Sequence, residues 1–147
     1  MARFNASFDG GSRGNPGPAA WGVAVFDDQG RCLERHAGTI GRATNNVAEY
    51  NGLLEALRLA VASEAEEVHL RSDSELIVRQ LEGRYRVKHP DLKPLFAEAK
   101  SKIASFALFH IEHVRREANT EADALVNEAL DRRSDTADAD EVEIREC

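Results

Sequence analysis

RFNASFDGGSRGNPGPAAWG, residues 3–22, decides the architecture. Phe4, Ala6 and Phe8 alternate with Arg3, Asn5 and Ser7, the period of a strand buried on one face. The alternation ends at Asp9 in a run of Gly, Ser, Asn and Pro that reads as a loop. Directly after it, AWGVAVFD at 20–27 and RCLERHAGTI at 31–40 are apolar stretches around Asp27-Asp28-Gln29-Gly30, which predicts a hairpin. Three strands this close in sequence make an antiparallel meander.

Beyond the meander the period changes. From Asn46 onward, Val47, Leu53, Leu54, Leu57 and Val61 recur at helical spacing. EVHLRS at 67–72 predicts a fourth strand, 74–82 a short helix stopped by Gly83, and 84–102 a basic loop with Pro90 followed by a helix after Asp91 through Lys102. FALFHIEHV at 106–114 predicts a fifth strand, and 120–131 a helix with Ala122, Leu125, Val126, Ala129 and Leu130 on one side. Helices joining the later strands call for an α/β fold, a mixed sheet covered by helices. The apolar period stops after Asp131. Residues 1–131 are therefore expected to form one domain and the acidic 132–147 a mobile tail, in which the Val142-Glu143-Ile144 triplet can add a short edge strand.

The totals bound the function. A chain of 147 residues, 42% hydrophobic and 31% charged, has the size and mix of one globular domain with a single core. No stretch reaches the ~20 apolar residues that span a bilayer, and MARFNASFDGG lacks the basic-then-apolar run of a secretory signal, so a cytoplasmic location and no membrane partner are expected. Cys32 and Cys147 are too few for a disulfide framework and lack metal-ligand spacing; a single bridge between them is left open, with a reducing compartment weighing against it. A formal charge of −7 at first excludes a nucleic-acid partner. Residues 131–147, however, hold seven acidic and three basic side chains, so −4 of that charge lies in the tail. A near-neutral body can carry a local basic patch.

Four acids fall at the ends of elements. Asp9 ends the first strand, Glu49 lies in the first turn of the long helix, Asp73 follows the fourth strand, and Asp123 lies in the first turn of the last helix. Each has an ordinary explanation: Asp9-Gly10 as a turn starter, and Asn46-x-x-Glu49, Ser72-x-x-Glu75 and Thr120-x-x-Asp123 as capping boxes. Taken together they point elsewhere, because strand ends and the starts of following helices converge in an α/β sheet, where ligands bind. Four carboxylates gathered there repel unless a cation lies between them. Hard divalent cations take all-oxygen ligands, and a pair of them promotes phosphodiester cleavage.

Four blocks then carry a family resemblance: FDGGSRGNPGPAAWG at 8–22, TNNVAEYNGLLEAL at 44–57, RSDSELIVRQLEGRYRVKHP at 71–90 and HVRREANTEADALVNEA at 113–129. Over roughly residues 2–131 the sequence resembles type 1 ribonuclease H, in the compact bacterial and archaeal branch without a hybrid-binding domain or basic protrusion. The resemblance implies a ribonuclease H-like fold, a five-stranded mixed sheet in the order 3-2-1-4-5 flanked by helices. It implies an endonuclease that hydrolyses the RNA strand of RNA–DNA hybrids through two Mg²⁺ ions, with Mn²⁺ as a substitute, leaving 5′-phosphate and 3′-hydroxyl ends. It assigns the metals to Asp9, Glu49, Asp73 and Asp123, with Asp9 bridging both, and Arg116 to the phosphate or the leaving side. Substrate contacts would come from Gly10, Gly11, Arg13 and Asn15 of the glycine-rich loop, from Thr44, Asn45 and Asn46, and from Ser74 and Lys88. Amides suit this task because the 2′-OH that separates RNA from DNA is both donor and acceptor.

The sequence also departs from the family. Where many members carry a mobile His ahead of the last aspartate, this chain has Arg115-Arg116-Glu117-Ala118-Asn119, and Glu75 stands where an amide is common. Arg84, Arg86, Lys88, His89 and Lys93 form a basic stretch suited to phosphates. Trp21 and Tyr50, in apolar settings, read as core. Three rivals remain: a nuclease of the same scaffold acting on double-stranded RNA, a non-catalytic hybrid-binding module, and a domain of a longer chain. A monomer is the expected state.

Overall fold

In the computed structural model, which describes residues 2–133, 142–145 and 147, the opening alternation becomes strand β1, Arg3–Ser12. It continues past Asp9 because Gly10, Gly11 and Ser12 pair with Trp21, Ala20 and Ala19 of β2, Gly17–Phe26. A ladder bond needs backbone groups and no apolar side chain, so the period-two signal stops before the strand does. The same holds for β3, Cys32–Ala43, which runs beyond the expected end at residue 40. Asp9 thus lies within its strand.

Helix α1, Asn45–Ala62, starts one residue earlier than expected and is capped by Thr44, whose Oγ1 accepts from the Val47 N–H at 3.2 Å. Glu49 therefore lies just past the first turn, and Asn46 is not its cap. β4, Glu67–Ser72, matches the expected strand residue for residue. α2, Glu75–Leu81, is capped by Ser74 and not by Ser72. α3, Lys93–Ile103, β5, Leu108–His113, a 3-10 turn at Arg116–Ala118 and α4, Thr120–Arg133, follow.

The sheet order is β5-β4-β1-β2-β3-β6. Its first five strands are the expected mixed sheet: β1 is antiparallel to β2, and parallel to β4, which is parallel to β5. β6, Val142–Arg145, is the edge strand foreseen at the VEI triplet and pairs antiparallel with β3, from Arg35↔Arg145 to Gly38↔Val142. The mobility expected of residues 134–141 and 146 falls outside the described residues. Cys32 and Cys147 form a disulfide with Cα atoms 5.8 Å apart. The pairing left open from sequence is thus made: proximity across a separation of 115 residues depends on the tertiary structure, which composition does not reveal.

Helices cover both faces. On one, Tyr50, Leu53 and Leu57 of α1 bury Phe4, Phe8, Val68 and Leu70, with Trp21 in the same core. On the other, Leu125, Val126, Ala129 and Leu130 of α4 lie on Ala20 and Ala37. Glycines set the approach. A Cβ at Gly52 of α1 would lie 2.6 Å from the Asp9 carbonyl oxygen, and one at Gly10 would lie 2.4 Å from the Glu49 nitrogen. α1 therefore rests directly on the β1 backbone where Asp9 sits.

Gly52→Ala tests this seat. In an exposed helix the change gains about 1 kcal/mol of propensity. Here overpacking against β1 is expected to reverse the sign, costing about 1–3 kcal/mol as a lower urea midpoint. A raised midpoint would show that α1 does not rest on β1.

Candidate active site

Parallel pairing of Phe8 with Ser72 brings the following residues, Asp9 and Asp73, side by side at the ends of β1 and β4. The close seat of α1 delivers Glu49 to the same point. One carboxylate oxygen from each of Asp9, Glu49 and Asp73 lies within 4.8 Å of the others. Asp123 arrives from the opposite face, because α4 sits against Gly22, where a Cβ would come 2.7 Å from the Ala122 carbonyl. Asp9 lies close to both Asp73 and Asp123, whose charges act on its carboxyl. The four acids read from sequence are thus gathered in one open cleft, with Arg116 beside them.

The gathering is electrostatically costly. Asp9 is 7% exposed. Burial first, and the charges of Asp73 and Asp123 second, push its carboxyl up to about 8. Burial and Asp73 likewise push Glu49 up to about 7, against a Ser74 hydrogen bond that favours its charged form. Asp73 is also raised by burial, less so for the proton Asp9 offers it. Arg116 lies 3.3 Å from Asp123, which holds the guanidinium proton more firmly. A single arginine on the rim does not neutralise four acids, whereas divalent cations do. The donor set is all oxygen, the choice of Mg²⁺ or Mn²⁺, so the residues present fit such ions.

The expected substrate residues divide. Gly10, Gly11, Arg13, Asn45 and Asn46 line the cleft with the carboxylates. Asn15, Thr44 and Asn46 line a neighbouring depression together with His89. Asn15 Oδ1 accepts from the Asn45 N–H at 3.0 Å, and Asn45 Oδ1 accepts from the Ser12 N–H at 2.8 Å. The two asparagines lock the glycine loop to the start of α1, so contacts beyond the protein fall to their Nδ2 donors. Arg13 reaches across to Asp131 of α4 at 2.6 Å. Ser74 is buried as the cap of α2, near Glu49, whose charged form it favours. Lys88 is exposed and lines neither depression.

Two residues escaped the sequence reading. Gly52 looks like a weak point in a helix and is a contact surface. Asn119 looks like a polar residue at a helix start; it is 2% exposed, and its Nδ2 donates to the Phe8 carbonyl at 2.9 Å. Neither carries a local signal, because each acts on a strand far away in sequence.

A fold of this order with acids at these positions defines a class. The family model described as "Reverse transcriptase-like" matches residues 7–129. The chain is similar to a ribonuclease HI of Halobacterium salinarum, 45% identical over 129 residues, covering 88% of this chain and 65% of the relative. It is similar also to a bifunctional protein of Mycobacterium tuberculosis, 48% identical over 133 residues, covering 90% of this chain and 36% of the relative. The chain thus spans about a third of the mycobacterial relative and just under two thirds of the halobacterial one. Among solved structures, LC11-RNase H1 in complex with an RNA/DNA hybrid superposes with a TM-score of 0.84 at 43% identity, covering 89% of this chain and 99% of that one. The chain belongs to the reverse transcriptase-like family, in its type 1 ribonuclease H branch.

Proposed function

We propose that this protein is an endonuclease that hydrolyses the RNA strand of RNA–DNA hybrids with two divalent cations, Mg²⁺ or Mn²⁺, held by Asp9, Glu49, Asp73 and Asp123. The observation that carries the reading is the convergence of these four carboxylates in one cleft, with Asp9 pushed up to about 8. The similarity to LC11-RNase H1, solved with an RNA/DNA hybrid, supports the choice of substrate.

Bound cations would supply activation of water and neutralisation of the charge that develops on the phosphate. The chain supplies the geometry. Asp9, with Asp73 and Asp123 close by, would help hold both ions. Arg116 adds positive charge on the Asp123 side. The glycine loop, with the Nδ2 donors of Asn15 and Asn45, and with Asn46, would read 2′-hydroxyls; Thr44, Arg13 and Lys88 would meet the backbone of the duplex. The water oxygen bonds to phosphorus, the P–O3′ bond breaks and the 3′ oxygen takes a proton, leaving 5′-phosphate and 3′-hydroxyl ends. No helix among the described residues is long and apolar enough to cross a membrane. A monomer working in the cytoplasm completes the reading.

The test is cleavage of labelled RNA–DNA hybrid, RNA duplex and DNA duplex with Mg²⁺, Mn²⁺ or EDTA, with Asp73→Asn alongside. Metal-dependent cutting of the hybrid's RNA strand, reduced on the order of 10³-fold or more in the variant, is expected. Cutting of the RNA duplex in preference would shift the substrate. Tight binding without cutting under every metal would overturn the reading in favour of a binding module.

A further inference from the structure

We infer that Asn119 is a positioning residue for the metal site, the clamp that keeps Asp123 and Arg116 in register with Asp9. This rests on the reading of the four carboxylates given above.

Three bonds meet at this residue. Its side-chain Nδ2 donates to the Phe8 carbonyl, the peptide group that leads into Asp9. Its backbone carbonyl accepts from the Asp123 N–H at 3.1 Å. Its own N–H donates to the Arg116 carbonyl at 3.0 Å. One side chain therefore ties the turn bearing Arg116 and the first turn of α4 to the strand bearing Asp9, across 111 residues.

A plain helix cap does not account for this arrangement. A capping asparagine uses its oxygen, which accepts from an N–H one turn into the helix. Here the oxygen, Oδ1, is buried with no hydrogen-bond partner among the described residues, and the nitrogen is the group engaged. An orphan buried acceptor costs stability, so the residue is poorly explained as a stabiliser of α4. What the amide supplies here is a neutral donor aimed at a strand carbonyl. Partners of this kind orient metal ligands, and their loss costs roughly 10–100-fold in metal affinity.

The experiment is calorimetric titration of the metal-free protein with Mn²⁺, no nucleic acid present, on wild type, Asn119→Ala, Asn119→Asp, Tyr50→Phe and Asp9→Asn. Asp caps a helix as well as Asn but has no donor when ionised, so it separates the clamp from a cap. Tyr50→Phe removes the buried bond to Gln80 and leaves all the Asn119 bonds in place, so it serves as a destabilised control. The Mn²⁺ dissociation constant is expected to rise about 10-fold or more in both Asn119 variants and to stay unchanged in Tyr50→Phe. In hybrid cleavage at saturating metal, kcat should fall while KM stays within about twofold. Wild-type affinity in Asn119→Asp or Asn119→Ala would overturn the clamp and leave the carboxylate reading intact. Failure of wild type to bind Mn²⁺, or equal binding by Asp9→Asn, would overturn the carboxylate reading and the clamp with it.

Discussion

Asp9→Asn is expected to abolish hybrid cleavage and, in metal-free buffer near pH 8, to raise the thermal midpoint. The loss of activity should be on the order of 10³-fold or more, because the buried Asp9 carboxylate lies in the charge field of both Asp73 and Asp123. The gain in stability follows from linkage. In the folded chain Asp9 keeps its proton up to about pH 8, and an exposed aspartate releases it near 3.8. Between those values the native state binds more protons than the unfolded one, so unfolding free energy falls as pH rises and the loss is complete above about 8. Glu49 adds a loss of the same sign, from 4.5 up to about 7. Metal-free wild type should therefore lose on the order of a few kcal/mol between pH 4 and pH 8.5, and Asp9→Asn should lose less. Saturating Mg²⁺ should restore the wild type at high pH and do little for the variant. Calorimetric scans across that range check this; parallel slopes for the two proteins would show that the carboxylates do not oppose folding. The repulsion among the carboxylates that opposes folding is the same repulsion that a bound cation would relieve.

Cys147→Ser is the second large effect. The bridge to Cys32 closes a loop with a sequence separation of 115, and a closed loop of that size is worth about 4–5 kcal/mol in the chain-entropy account. At this chain length that corresponds to roughly a 15 °C fall in midpoint. Wild type in reductant should fall onto the variant, and the variant should not respond to reductant. Unchanged scans would show that the bridge does not hold the native state in solution. Activity should change little, since the carboxylates are held by β1, α1, β4 and α4, none of which contains either cysteine. In a reducing compartment β6 would rest on its four-residue ladder to β3 alone.

The arrangement of elements was legible because it is written in periodicity. β4 was placed to the residue, since EVHLRS is a half-buried alternation bounded by polar residues on both sides. The four acids were legible because the apolar periodicity changes close to each of them, near the strand ends and helix starts where α/β sheets bind ligands, although Asp9 lies within β1 and Glu49 just past the first turn of α1. Local chemistry also identified Trp21 and Tyr50 as core, and they are 5% and 0% exposed.

What sequence by itself determined, then, is which segments become strands and helices, their order, and which acids could meet. The tertiary structure alone decided how far β1 runs, because that depends on a partner strand; that Thr44 and not Asn46 caps α1; that Gly52 is a seat for a strand; that Asn119 gives its nitrogen to β1 and leaves its oxygen unpaired; and that Cys32 and Cys147 meet. Periodicity is a one-dimensional record of burial, so it reports what each segment does with its own neighbours. Close approach, strand pairing and shared protons arise between segments far apart in the chain, and their energies exist only once packing has brought the groups within a few ångströms.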